Sequence, residues 1–163
     1  MEAKKGWSPR LALYAAAAVF MSGTPSGIPN VLLHHLKHNQ VLHAQVVLFS
    51  VVTRNIPWVD VDSGLEVREL GQGFYRIIAH VGFMQSPDVP TILAATAPRG
   101  VRTEPMTTTY YLGRESLLTT GASPFARWRK VLFSFLSRNS RPPTAFFNLP
   151  PNRVVELGLQ IEL

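Results

Sequence analysis

Residues Gln45–Thr53 read QVVLFSVVT, four valines, a leucine and a phenylalanine in nine positions. β-Branched residues with no polar alternation suit a strand that meets apolar neighbours on both faces. A second apolar run, Ala15–Met21 (AAAAVFM), precedes it and is bounded by glycine and proline, so it reads as a buried central strand. Between the two lies the turn Ser22-Gly23-Thr24-Pro25-Ser26-Gly27, then Pro29–Asn39. Leu32, Leu33 and Leu36 fall at helical spacing there, Pro29 suits a first helical turn, and Asn39 is a reasonable terminator. Two apolar strands flanking a helix predict a βαβ unit with parallel strands.

The rest of the pattern extends that sheet. Leu65–Leu70 alternates, Gly71-Gln72-Gly73 turns the chain, and Phe74–Gly82 alternates again, which predicts a β-hairpin with one buried and one wet face. Ser86 or Asp88 can cap a helix carrying Ile92, Leu93 and Ala95, ended by Pro98-Arg99-Gly100. Thr107–Leu112 is β-rich. Ser123-Pro124 opens a longer helix to Arg138 with Trp128, Leu132, Phe135 and Leu136 on one stripe, and Val154–Leu163 alternates as a last strand. The fold class is therefore α/β: a mixed sheet of about five or six strands with a βαβ start and a hairpin, and helices packed on it. Residues 1–12 read as a linker or lead-in and 13–163 as one domain.

Composition narrows the functions. With 163 residues, 46% of them hydrophobic and 16% charged, the chain can bury a core. So few charges point to surface covered by something else, hence to self-association. The apolar run Leu11–Met21 is too short to span a membrane, which takes roughly 20 residues. It has the layout of a secretory signal peptide, but Pro9 and Arg10 interrupt the approach and a buried strand accounts better for the turn that follows. The formal charge is +6, from 12 Arg and 4 Lys against 10 acidic residues. These cations are scattered and not interleaved with aromatics, so nucleic acid is not the expected partner; the anionic cytoplasmic face of a membrane is an alternative. There is no cysteine, so no disulfide, thiolate zinc site or thiol nucleophile can exist.

Few constellations suggest chemistry. His34 and His38 share a helix face and could hold one metal, but no Asp, Glu or Cys lies nearby in sequence, so His34, His35, His38 and His43 read as solvated histidines on a polar face. The serines sit in no nucleophile elbow, and the acidic residues form no pair for acid–base work, so no enzyme is expected. The Ser22–Gly27 loop, joining strand to helix, could offer N–H groups to a phosphate through Ser22, Gly23, Ser26 and Gly27, with basic help from Arg114 or Arg153. Its spacing matches neither the dinucleotide fingerprint nor the Walker motif. A plain loop, and an Arg153 that holds a carboxylate or helix end, are the simpler readings.

Several segments, in order, resemble one family. They include Val19-Phe20-Met21-Ser22 followed by Pro25-Ser26-Gly27-Ile28-Pro29, and Leu32-Leu33-His34-His35-Leu36-Lys37-His38-Asn39. Gly71-Gln72-Gly73-Phe74-Tyr75-Arg76, Tyr110-Tyr111-Leu112-Gly113-Arg114-Glu115, Trp128-Arg129-Lys130-Val131-Leu132-Phe133 and Pro150-Pro151-Asn152-Arg153-Val154-Val155-Glu156-Leu157-Gly158 follow. From residue 19 to the end the chain is similar to the cytosolic C-terminal region of the KUP/HAK/KT potassium transporters, bacterial type. His35 departs from the expected Asn. The resemblance implies the tail of a multi-pass, proton-coupled potassium uptake protein, on the cytoplasmic face of the cell inner membrane, with the ion site in transmembrane helices that this chain lacks. It implies a domain that is itself soluble and regulates or assembles the transporter. Its partners would be the membrane-embedded part and a second copy in a homodimer. No cofactor is implied, other than a regulatory nucleotide such as cyclic di-AMP or an adenine nucleotide in a sensor reading.

Overall fold

The computed structural model describes residues 12–104, 106–118 and 143–162. The expected helix at 123–138 lies outside them. Six strands form one mixed sheet among the described residues: β1 (Ala12–Ser22), β2 (Val41–Arg54), β3 (Leu65–Gly71), β4 (Phe74–Gly82), β5 (Thr109–Leu118) and β6 (Val154–Glu162). Their order across the sheet is β3-β4-β2-β1-β5-β6. Only β3 runs antiparallel to its neighbour, as the hairpin partner of β4. β1 pairs in parallel with β2 on one side and β5 on the other, and β2–β4 and β5–β6 are parallel too. The expected βαβ start and hairpin are both present.

Alternation along the central strands builds two cores. Ala18 and Phe20 of β1, Val46 and Leu48 of β2 and Tyr111 of β5 point to one face, where helix α1 (Asn30–Asn39) covers them with Val31 and Leu32. Val19, Val47, Phe49, Ile77, Tyr110 and Leu112 point to the other, under helix α2 (Val89–Ala94) with Val89, Ile92 and Leu93. Val19, Val47, Phe49 and Ile77 have no exposed surface. Burying a side chain of this size contributes about 1.5–3 kcal/mol. Gln45–Thr53 is apolar throughout because β2 lies between β1 and β4 with a core on each face.

α1 departs from the expected leucine stripe. Its buried residues are Val31, Leu32 and His35, with Leu36 packed beside them, while Leu33 is 49% exposed. Each helical residue turns about 100°, so Leu33 falls outside the stripe that 31, 32, 35 and 36 define. The helix ends at Asn39, as expected, and its left-handed cap is the next residue, Gln40 (φ 52°), whose N–H donates to Leu36 O. At α2 the cap is Asp88, not Ser86: its Oδ1 accepts from Thr91 N at 3.1 Å. A short helix α3 (Pro143–Phe146) precedes β6. Among the described residues no helix is long and apolar enough to cross a membrane.

The hairpin turn separates two demands on glycine. Gly71 and Gly73 both have positive φ, 90° and 82°. A Cβ on Gly71 would meet nothing, whereas one on Gly73 would lie 2.3 Å from Ala44 O, where β4 starts beside β2. Gly71→Ala is expected to cost about 1–2 kcal/mol, the usual penalty of a left-handed alanine. Gly73→Ala should cost more, through loss of the β2–β4 approach. Urea midpoints of the two variants check this; equal losses would contradict it.

Candidate functional site

The parallel strands β1, β2 and β4 end at one margin of the sheet, with Ser22 level with Ser50 and Arg54 level with Gly82. The Ser22–Gly27 loop leaves this margin to enter α1. Ser22 Oγ donates to Thr24 O (2.9 Å) and accepts from Thr24 N (3.3 Å), a hydroxyl-closed turn. Ser50 Oγ, buried on β2, donates to the same Thr24 O at 2.9 Å. Thr24 Oγ1 donates to Ser26 O, and Arg76 Nη2 reaches from β4 to Gly27 O at 2.7 Å. The carbonyls of residues 24, 26 and 27 are thus taken by side-chain donors. The Thr24 N–H is taken as well, by Ser22 Oγ, and Gly27 holds a φ of 82° where the loop enters α1.

Of the two expected helper cations, only one stands at this margin. Arg114 lies on β5 one position beyond Gly113, the level of Ser22; its side chain is exposed and 3.6 Å from Glu156. Arg153 sits level with Thr109, four strand positions lower, roughly 13 Å away along the sheet. The cation that does touch the loop is Arg76. Nothing local marks it: it is 49 residues from Gly27 and looks like any wet-face residue of an alternating strand.

Beneath α1 lies a cluster of rings. Phe20 and Tyr111 stack at 4.6 Å with 9° between planes. His35 meets Tyr111 edge-on at 4.6 Å and Phe20 at 5.6 Å, and His43 lies 5.8 Å from both His35 and Tyr111. This corrects the reading of four solvated histidines. His34 and His38 are exposed, with rings 5.9 Å apart, but His35 and His43 are buried at 4% and 7% exposure. The signal was present: His35 falls three and four residues after Leu32 and Val31, on the buried stripe. Asn39 Nδ2 donates to His35 Nδ1 at 2.9 Å. Burial pushes His35 below its ordinary pKa, and the backbone of Val41 pulls partly back. Burial, then the neighbouring His35, pushes His43 down. Burial likewise raises Tyr111. Among the described residues no group of three metal-ligating side chains is found.

On the same face of the hairpin, Arg54 Nε donates to His80 Nδ1 (3.0 Å) and His80 Nε2 donates to Glu66 Oε1 (2.9 Å). That bond from His80 is the main cause holding Glu66 below the usual carboxylate range. On the opposite face a cavity of about 150 Å³ opens between β3, β4 and α2, lined by Leu65, Ala79, Val81 and Ile92. Gln85 at its rim ties two loops: Oε1 accepts from Val59 N and Gly82 N, and Nε2 donates to Val59 O. At Asp88, burial acts to raise the pKa, but bonds from Thr91 and Asn148 outweigh it and hold the carboxyl low. Arg54, His80 and Glu66 tie β2, β4 and β3 to one another, while Gln85 and Asp88 brace loops.

Residues 15–163 match the family described as K+ potassium transporter C-terminal domain. The chain is 56% identical over 146 residues to "Probable potassium transport system protein Kup 2" of Syntrophobacter fumaroxidans, covering 90% of this chain and 23% of that protein. It is 56% identical over 147 residues to "Probable potassium transport system protein Kup 1" of Geobacter sulfurreducens, with the same shares. With "Probable potassium transport system protein Kup" of Myxococcus xanthus it shares 47% over 146 residues, 90% of this chain and 22% of the relative. The chain spans about a quarter of the length of the curated relatives it matches. No solved structure matches it. The chain belongs to the potassium transporter C-terminal domain family.

The buried histidines carry a pH signature. Their folded pKa lies below the unfolded value of about 6.5, so as pH falls the unfolded chain takes up protons first and stability drops. Stability is full above that value and declines through the window beneath it. In a chain of this size each 1 kcal/mol appears as about 2–4 °C in Tm. Melting scans between pH 7.5 and 5.0 are expected to show a smaller fall for His35→Leu/His43→Leu than for the unchanged chain. An undiminished fall would place the titration elsewhere.

Proposed function

We propose that this chain is the regulatory and assembly domain of a proton-coupled potassium uptake transporter, held at the cytoplasmic face of the inner membrane. The domain does not itself conduct potassium. The observation that carries this reading is the match of residues 15–163 to the potassium transporter C-terminal domain, with relatives named as potassium transport system proteins. Such a domain acts by binding one arrangement of the attached transporter better than another, which shifts the population between them. Self-association as a homodimer belongs to this reading and fits the lean charge content of 16%.

A second reading, a sensor for an adenine nucleotide or cyclic di-AMP, has one observation in its favour. The Ser22–Gly27 loop lies at the carboxyl ends of parallel strands, where open α/β sheets commonly take ligands, and Arg76 and Arg114 stand at that margin. Calorimetry with ATP, AMP and cyclic di-AMP decides it. Heat that is lost in Arg76→Ala supports a sensor, and no heat with all three removes that reading.

The regulatory reading is tested in a whole relative such as the Geobacter sulfurreducens protein, produced in cells that lack other potassium uptake. Removing the region equivalent to residues 15–163 is expected to change the uptake rate several-fold, within the roughly 5–150-fold that allosteric coupling supplies, with the membrane level of the protein unchanged. Equal uptake at equal membrane level would contradict a regulatory role.

A further inference from the structure

The two outer strands of the sheet are unlike. β3 is guarded as edge strands usually are: three charges, Glu66, Arg68 and Glu69, in seven residues, and a register break between Glu69 and Gly71. β6 (VVELGLQIE) has no Lys, Arg or Pro and pairs with β5 at nine successive positions, Tyr110↔Val154 to Leu118↔Glu162, with no break. Among the described residues β5 is its one strand partner. Val155, Glu156 and Gly158 are exposed, and a Cβ on Gly158 would meet nothing within 4 Å. Such an edge offers unpaired N–H and C=O groups to another strand.

We propose that β6 is the assembly edge, taking the β6 of a second copy of this chain antiparallel across a twofold axis at Gly158, so that two sheets become one. This rests on the assembly reading above and names its surface. A twofold makes the pairing antiparallel and self-complementary. Centred on Gly158 it uses all nine residues: position 157 faces 159, 155 faces 161, 156 faces 160 and 154 faces 162. In sequence, positions 155, 157, 159 and 161 recur at strand spacing and all four are apolar, so such a pairing sets apolar residue opposite apolar residue. Glu156 then faces Gln160. A twofold at Leu159 would instead oppose Glu156 with Glu162, a like-charge pair that destabilises. A lipid surface is disfavoured as occupant, because the only charges on this edge are Glu156 and Glu162.

The chain has no cysteine, so Gly158→Cys gives it a single thiol. Facing residues of an antiparallel pair have Cα atoms about 4.5–5.5 Å apart, within disulfide reach. On mild oxidation the full chain carrying Gly158→Cys is expected to run as a covalent dimer that reductant reverses, while Leu70→Cys on exposed Leu70 of β3 stays single. Val155→Lys, a charge at an exposed position of β6, is expected to sediment at half the mass of the unchanged chain while keeping its melting transition. A dimer that neither cross-links at Gly158 nor responds to Val155→Lys overturns the β6 edge and spares the assembly reading. An unchanged chain that sediments as a monomer at high concentration overturns both.

Discussion

Everything described here hangs on β1 being held between two parallel neighbours. Its hydrogen bonds run to β2 on one side and β5 on the other, and Ala18, Val19 and Phe20 have no exposed surface. Alternate residues of this one strand serve both cores: Phe20 stacks on Tyr111 under α1, and Val19 packs among Val47, Phe49 and Tyr110 on the α2 side. A strand that contributes to both cores cannot slip by one residue without inverting its faces, so β1 fixes the register of the five strands that lie outward of it on its two sides. Truncating a ring such as Phe20 to alanine belongs to the class of change that costs about 3–5 kcal/mol.

The surface features follow from that frame. Parallel pairing gathers the ends of β1, β2 and β4 at one margin, which is why Ser50 and Arg76, distant in sequence, pin the Ser22–Gly27 loop. The same margin places the loops after β2 and β4 side by side, tied by Phe83 N to Ile56 O and Met84 N to Pro57 O. That approach is close enough that a Cβ on Gly82 would lie 2.1 Å from Pro57 O. Growth of the sheet by parallel addition also puts β6 at its outer end, with β5 as its one strand partner among the described residues.

Much of the fold was legible because its signals are local. The valine-rich run at 45–53, the Gly-Gln-Gly turn and the Asp88 cap each act within a few residues, and each element stands where its residues indicate. What misled was chemistry that depends on the third dimension. Leu33 looks like core because leucine usually is, yet only its angular position on α1 decides, and it faces out. His35 and His43 count as polar in any pattern, yet the helix stripe and the rings of Phe20 and Tyr111 bury them. Arg76 carried no mark at all, since its partner, Gly27 O, arrives only when β4 lies beside β2. The family resemblance, built on ordered motifs rather than periodicity, gave the parentage that local physics could not.

The dependence on β1 is measured most directly by native-state hydrogen exchange, read by mass spectrometry on the intact chain. The amides of Ala18–Met21 and Val46–Ser50 are expected to exchange slowest, at the rate of global unfolding, with the hairpin strand β3 and the 22–29 loop opening earlier. If β1 exchanges as readily as β3 while the rest of the sheet stays protected, β1 is not the element on which this structure depends.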